Sequence, residues 1–458
     1  MSALGTPSRP LCVAVVGSGP SGFYAAEALL KSPGLSVRVD VFDRLPTPYG
    51  LVRGGVAPDH QKIKAVTAVY ERCALDPRVR FFGNVKLGTD VTVEELRARY
   101  DQIVYAVGCE SDRHMGIPGE DLAGSFSATE FVGWYNAHPD YRDRRFDLSC
   151  EAAAVVGIGN VAMDVTRLLA CEADALAKTD IAVQALEALR RSKVKTVWLL
   201  GRRGPAEAAY SPAEIEEIGE LENADLVVTP AEAAVDAVSQ DELKDAAVKK
   251  KVDYIQKHAA LGEGTKERKV RLRFCVSPVE ILGADGKVTG LRLEKNKLVS
   301  DGKGGVKPVG TGEFETIKVG LVLRSVGYRG IPIPGVPFDD KAGRIANDAG
   351  RVTGAPGEYV VGWAKRGPSG LIGTNRADSV LTVQLMLADL KDGKLPARSV
   401  DESLESTPAL MASKGVKSIS MAQWKELDKR ELANGAAHGK IREKFTRVED
   451  MLAALPPK

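Results

Sequence analysis

The chain has 458 residues, 44% of them hydrophobic and 27% charged, and its 63 basic and 61 acidic residues leave a formal net charge of +2. That length exceeds what one hydrophobic core holds, which predicts two domains. Nothing in the near-neutral total argues for nucleic-acid or membrane binding, so any electrostatic partner site must be a local patch.

The six cysteines (Cys12, Cys73, Cys109, Cys150, Cys171 and Cys275) form no C-x-x-C pair. This excludes zinc ribbons, sequence-local iron–sulfur ligation and a redox dithiol, and it fits a reducing, cytoplasmic compartment. The opening MSALGTPSRP resembles neither a signal nor a transit peptide, and no apolar run approaches the ~18 residues that span a membrane.

The 46 glycines suit an α/β chain with many strand-to-helix turns. LCVAVVG reads as a central parallel strand, FYAAEALLKS as a helix and SVRVDVFD as the next strand. An irregular stretch, RLPTPYGLVRGGVAPDH, precedes a helix from about Gln61 to Cys73. RVRFFGNVKLG and YDQIVYAVG read as further strands, the latter ending on Gly108. A second alternation runs through AAAVVGIG, a helix in VAMDVTRLLACEADAL, and the strand TVWLLGRR. The segment from Glu216 to Lys269 reads as helical and charge-rich. VRLRFCVSPVEILG and VTGLRLEKNKLVS read as antiparallel hairpins around ADGK and SDGKGG. VGLVLRSVG ends on Gly327, EYVVG closes the alternation, and DSVLTVQLMLADL is a long helix. After about Pro396 the tail reads as helical and polar around Trp424.

Two glycine fingerprints carry the functional reading. The first, GSGPSG, places Gly17, Ser18, Gly19, Ser21 and Gly22 between an apolar strand and a helix, where backbone N–H groups and the helix dipole favour a pyrophosphate. Asp43 ends the next strand, where a carboxylate accepts from ribose hydroxyls and repels a 2′-phosphate. That predicts FAD or NAD rather than NADP. The second fingerprint is Gly157, Gly159 and Ala162, with Asn160 and Val161 opening its helix. Its reader strand ends on Arg202 and Arg203, whose planar forks suit the 2′-phosphate of NADP(H). The spacing of 45 residues, against about 20 in the usual motif, requires a helical insertion through Ala182–Arg191 to loop out. FAD and NADP(H) on one chain point to hydride transfer between nicotinamide and flavin.

Several stretches resemble adrenodoxin reductase and its bacterial counterparts, the NADPH:ferredoxin reductases of that type. PTPYGLVRGGVAPDHQKIK is the most specific; GIGNVAMDVTRLL, LLGRRGP, RSVGYRG and VGWAKRGPSGLIGTN also match, in order, across about residues 10 to 395. The resemblance implies two Rossmann-like domains with parallel central sheets in three layers. An FAD-binding domain would comprise residues 1–108 and 327–458, and an NADP-binding domain residues 109–326. It implies that Leu51 lines the flavin, that Val85 meets the adenine side, and that Trp363, Gly370, Leu371 and Ile372 cover the isoalloxazine. Arg113, Asn160, Val161, Arg202, Arg203 and Glu214 match the family's NADP-contacting positions.

His60 matches a histidine near the flavin–nicotinamide contact, in orientation or proton supply, although D-H before a helix also suits a plain backbone contact. Glu214 has a structural rival too, because Ser211-Pro212-Ala213-Glu214 spells a capping box. The implied activity is hydride transfer from NADPH to FAD, then single-electron transfer to a small acidic ferredoxin that can feed a cytochrome P450. A basic dock for that partner would lie at Arg190, Arg191, Lys193 and Lys195, or at Lys266, Arg268 and Lys269. A flavin monooxygenase and a redox sensor without turnover remain open alternatives.

Overall fold

A strand that is apolar at every position has to be covered on both faces, and LCVAVV is. In the computed structural model, which describes residues 4–302, 304–370, 372–400 and 406–456, all six residues of Leu11–Val16 are buried. The chain divides into two compact units, Met1–Ser111 with Gly327–Lys458, and Asp112–Val326.

In the first unit Leu11–Val16 lies between Val37–Phe42 and Gln102–Tyr105. Val79–Phe82 and Glu358–Val360 flank these, and all five strands are parallel. Asn347–Asp348 and Arg351–Val352 add an antiparallel edge, giving seven strands. One face packs Phe23, Leu29, Tyr70 and Met386. The other packs Phe42, Leu96, Tyr105 and Met411. The expected helix from Gln61 to Cys73 is two, Gln61–Lys64 and Thr67–Ala74.

The tail departs from its polar reading. It does form the helices Ser406–Ser413, Met421–Ala437 and Val448–Ala453. Yet Trp424 is 2% exposed within the first core. Its indole meets the Tyr49 ring edge-on at 6.1 Å, and the Arg53 guanidinium sits 4.9 Å above it. Glu431, wholly buried, accepts from Arg53 at 2.8 and 2.5 Å, from Arg442 at 2.8 Å and from the Phe445 amide at 3.0 Å. One aromatic anchor and one buried carboxylate tie a mostly polar helix to the Tyr49–Arg53 turn. A window average over polar neighbours hides both.

The second unit repeats the architecture. Ser125–Ser127, Leu321–Arg324, Ala152–Val156, Thr196–Leu200, Arg268–Arg273 and Ala224–Val227 form a parallel sheet in that order. Val276–Ala284, Lys287–Ser300 and Val306–Ile317 form a separate antiparallel sheet.

Two expectations need correction here. Ala224–Val227 is a strand inside the segment read as helical. VRLRFCVSPVEILG is not one hairpin arm, because it ends its parallel strand at Arg273 and starts the antiparallel sheet at Val276. Between them Cys275 takes φ +53°, a left-handed turn at a residue that carries no turn signal. The Asp285-Gly286 turn does sit where Asp-Gly predicts it, with φ +51° and +75°.

Candidate functional site

In the first unit Gly17 has φ +109°, and a Cβ there would lie 2.3 Å from the Ala106 carbonyl oxygen. A Cβ on Gly22 would lie 2.1 Å from the Gly17 oxygen, so both glycines are required by backbone approach. Gly19 caps Pro20–Leu30 with no side-chain hydrogen bond, which leaves first-turn amides for an anion. The Tyr49-Gly50 turn folds back here: the Tyr49 amide donates to the Ser18 carbonyl at 3.0 Å, and a Cβ on Gly50 would approach the Gly19 Cα at 3.0 Å. Tyr49 itself has φ +84°. This turn sets Leu51, 38% exposed, beside the fingerprint.

Asp43 follows the strand Val37–Phe42. Its Oδ2 accepts from the Ser18 amide at 3.0 Å and from the Ser18 hydroxyl, and its Oδ1 from the Leu45 amide at 3.0 Å. Burial pushes its carboxyl above the ordinary range, against the hydrogen bonds from Ser18 and Leu45. Val85 is buried, and its amide donates to the Asp43 carbonyl at 2.8 Å. Asp43 therefore braces the glycine turn as well as marking the strand end, a duty the sequence pattern does not disclose.

Gly362 has φ +68°, its amide donates to the buried Asp378 at 2.7 Å, and a Cβ there would meet the Ser21 Oγ at 2.0 Å. Gly362, the residue before Trp363, is thus seated against the fingerprint helix. The Trp363 indole N–H is buried without an acceptor among the described residues. Gly370 (φ +83°) ends the loop and Ile372 starts the helix Ile372–Lys391, whereas Leu371 lies outside the described residues. Gly362→Ala is expected to cost about 2–4 kcal/mol through clash and a left-handed backbone, read as a lowered thermal midpoint. An unchanged midpoint would contradict this seating. His60 caps the short helix Gln61–Lys64 and is half-buried.

In the second unit Gly157 has φ +120°, and a Cβ there would meet the Ser325 oxygen at 2.2 Å. A Cβ on Gly159 would have nothing within 4 Å, and Gly159 caps Asn160–Ala170 with no side-chain bond. Ala162 is fully buried, so this fingerprint accommodates the methyl that the first excludes at Gly22. Val161 is half-buried.

The expected capping box at Ser211 is not formed. Ser211 makes no side-chain cap, and its amide donates to Asn160 Oδ1 at 3.0 Å. Glu214 sits in the first turn of Pro212–Gly219 without that duty. Behind it, burial lowers the Arg167 pKa, while Asp164 at 2.7 Å and Glu217 at 3.4 Å hold the charge.

The strand Thr196–Leu200 delivers Arg202, exposed, and Arg203, half-buried. Neither has a carboxylate partner among the described residues; Arg203 makes only a long 3.5 Å contact to the Glu207 carbonyl. Arg113 is exposed in the same unit. Sequence reasoning overlooked a brace nearby: Arg324, 7% exposed, binds Asp112 at 3.4 Å, Glu120 at 3.0 Å and Ser125 at 3.1 Å.

In the two candidate basic clusters three of the seven cations are paired with carboxylates. Arg190 pairs with Asp174 at 2.8 Å, Lys195 with Glu267 at 3.2 Å and Lys269 with Asp225 at 2.6 Å. Lys266 and Arg268 donate to the carbonyls of Leu221 and Cys171. Arg191 and Lys193 are exposed with no carboxylate partner among the described residues.

Two parallel sheets, each opening on a glycine turn and an uncapped helix, define an α/β protein of the two-fingerprint class. The model of the pyridine nucleotide-disulphide oxidoreductase family matches residues 12–369. Over 455 residues the chain is 45% identical to the NADPH-ferredoxin reductase FprA of Mycobacterium tuberculosis, covering 97% of this chain and 99% of that protein. It is 43% identical over 456 residues to the mitochondrial NADPH:adrenodoxin oxidoreductase of Bos taurus, covering 97% and 92%. The solved structure of Mycobacterium tuberculosis FprA in complex with NADPH superposes with a TM-score of 0.93 at 44% identity, covering 97% of this chain and 99% of that one. The chain belongs to the pyridine nucleotide-disulphide oxidoreductase family. No helix among the described residues is long and apolar enough to cross a membrane.

Proposed function

We propose that the chain is an NADPH:ferredoxin oxidoreductase, with FAD held by the first unit and NADP(H) by the second. The observation that carries this reading is the contrast at the two strand ends, a carboxylate at Asp43 and two uncompensated guanidinium groups at Arg202 and Arg203. A 2′-phosphate carries nearly two negative charges, so the first position repels it and the second attracts it. The residues present fit FAD. Gly17 and Ser18 shape the turn, their own amides donating to the Phe42 carbonyl and to Asp43; Gly19, Ser21 and Gly22 present the start of the helix, Asp43 Oδ1 keeps a lone pair for a ribose hydroxyl, and the buried Trp363 N–H suits a ligand acceptor. Leu51, Val85, Gly370 and Ile372 complete that set, and we assign Leu371, outside the described residues, to it from the sequence motif alone.

For NADP(H), Gly157, Gly159, Val161 and Ala162 shape the pyrophosphate turn, Asn160 keeps its Nδ2 donors, and Arg113 adds charge. FAD, when bound, supplies the step from a two-electron hydride donor to one-electron delivery. The chain's own task is positioning, where alignment is worth roughly 7–11 kcal/mol of barrier. His60 and Glu214 serve orientation or proton supply, because hydride transfer needs no protein nucleophile. Despite the family's name, the chain carries no C-x-x-C dithiol, and all six cysteines are free, which supports work in a reducing cytoplasm. The acceptor is a small acidic iron–sulfur protein, feeding in turn a cytochrome P450. Arg191 and Lys193 are the cations best placed to meet it.

The test is an anaerobic titration of the purified protein with NADPH and then oxidised ferredoxin, at low and high salt. A yellow protein that bleaches with NADPH, recovers with ferredoxin and slows steeply with salt is the expected result. A colourless protein, or one whose bleached flavin is not reoxidised by ferredoxin but is by oxygen with substrate turnover in a parallel aerobic run, overturns the reading.

A further inference from the structure

The turn after Thr196–Leu200 carries three consecutive carbonyls, and each is held. The Gly201 oxygen accepts from the Val276 amide at 3.0 Å, and the Arg203 oxygen from the Cys275 amide at 3.0 Å. The middle one, of Arg202, accepts from a side chain, Asn296 Nδ2, at 2.9 Å. The second hydrogen of that amide goes to Ser277 Oγ at 2.8 Å, and the Asn296 backbone amide donates to the Cys275 carbonyl at 2.7 Å. Asn296 stands where the register between Lys287–Ser300 and Val306–Ile317 shifts, with Glu294 opposite Phe314 and Asn296 opposite Gly310. The irregularity aims its amide sideways onto the arginine turn. One donor of the amide thus holds the Arg202 peptide, and the other anchors the amide itself to Ser277.

We infer that Asn296 is a positioning residue for coenzyme choice: it fixes the Arg202–Arg203 peptide so that the Arg202 fork faces a 2′-phosphate. A guanidinium gains most when both N–H groups meet phosphate oxygens, and a free peptide plane at its root loses that alignment. The flanking backbone bonds survive any substitution at position 296, so only the Arg202 peptide is released. This inference rests on the assignment of Arg202 and Arg203 to the phosphate.

The experiment titrates Asn296→Ala, Ser277→Ala and Arg202→Ala against 2′,5′-ADP and 5′-AMP by calorimetry, with steady-state kinetics for NADPH and NADH alongside. Asn296→Ala is expected to weaken 2′,5′-ADP about 2- to 12-fold, the span of one net hydrogen bond. It should raise the NADPH KM in the same ratio at nearly constant kcat and leave 5′-AMP and NADH unmoved. Ser277→Ala keeps the Arg202 bond but loosens the amide, so a smaller loss in the same direction is expected; it carries the test should Asn296→Ala not fold. If Arg202→Ala discriminates between the two nucleotides and neither partner variant does, the positioning role is overturned. Equal losses for both nucleotides in Asn296→Ala overturn it too, by making the residue merely structural. If Arg202→Ala itself fails to discriminate, it is the phosphate assignment beneath that falls.

Discussion

Replacing Arg202 or Arg203 with alanine is expected to raise the NADPH KM about 10- to 150-fold, because each charge-assisted hydrogen bond to a phosphate is worth roughly 1.5–3 kcal/mol. The NADH KM should barely move. The size of the effect follows from what the guanidinium groups lack: with no carboxylate partner among the described residues, neither spends its charge inside the protein. Contrast Arg273, whose guanidinium is divided between Glu232 and Glu315. Removing such a paired arginine would act on stability first. Steady-state kinetics with both coenzymes checks the prediction, and equal losses for the two would contradict the phosphate assignment.

Glu431→Leu is expected to destabilise the protein by about 3–5 kcal/mol, the range for breaking a buried ion pair by deleting one partner. Its wholly buried carboxylate compensates Arg53 and Arg442 and caps the Phe445 amide. Leucine would take the carboxylate from Arg53 and leave Arg442 with Asp428 alone, at 2.7 Å. Because Arg53 lies two residues past Leu51 and stacks on Trp424, the loss should reach the Tyr49–Leu51 turn as well. Denaturant unfolding measures the first effect, and retained flavin per chain measures the second. A change below about 1 kcal/mol would make the tail peripheral.

The pattern of residues disclosed the elements that obey local rules. Both glycine turns, the apolar strands flanking them and the Asp285-Gly286 hairpin follow from φ requirements and periodicity. Elements decided by distant partners stayed hidden. The bend at Cys275 is held by bonds to Arg203 and Asn296, 72 residues before and 21 after it, and cysteine gives no local sign of a left-handed turn. Ser211 and Glu214 spell a capping box, yet Asn160, 51 residues away, takes the amide that box would have used. Trp424 shows only as a lone aromatic in a polar helix, because its partners Tyr49 and Arg53 come nearly four hundred residues earlier. Of the candidate site, residue types were legible, and their second duties, such as Asp43 bracing Ser18, were not.

The sheet of the first unit takes the strand Glu358–Val360 beside Gln102–Tyr105, whereas every strand of the second unit lies between residues 125 and 324. On the ribosome the inner unit has its whole sheet in hand while the outer one is still missing a neighbour for Gln102–Tyr105. Leu11–Val16 already has both its neighbours by then, but the nascent Gln102–Tyr105 must wait through some 250 further residues of elongation with one edge open. That makes it the stretch on which chaperone protection during synthesis would act.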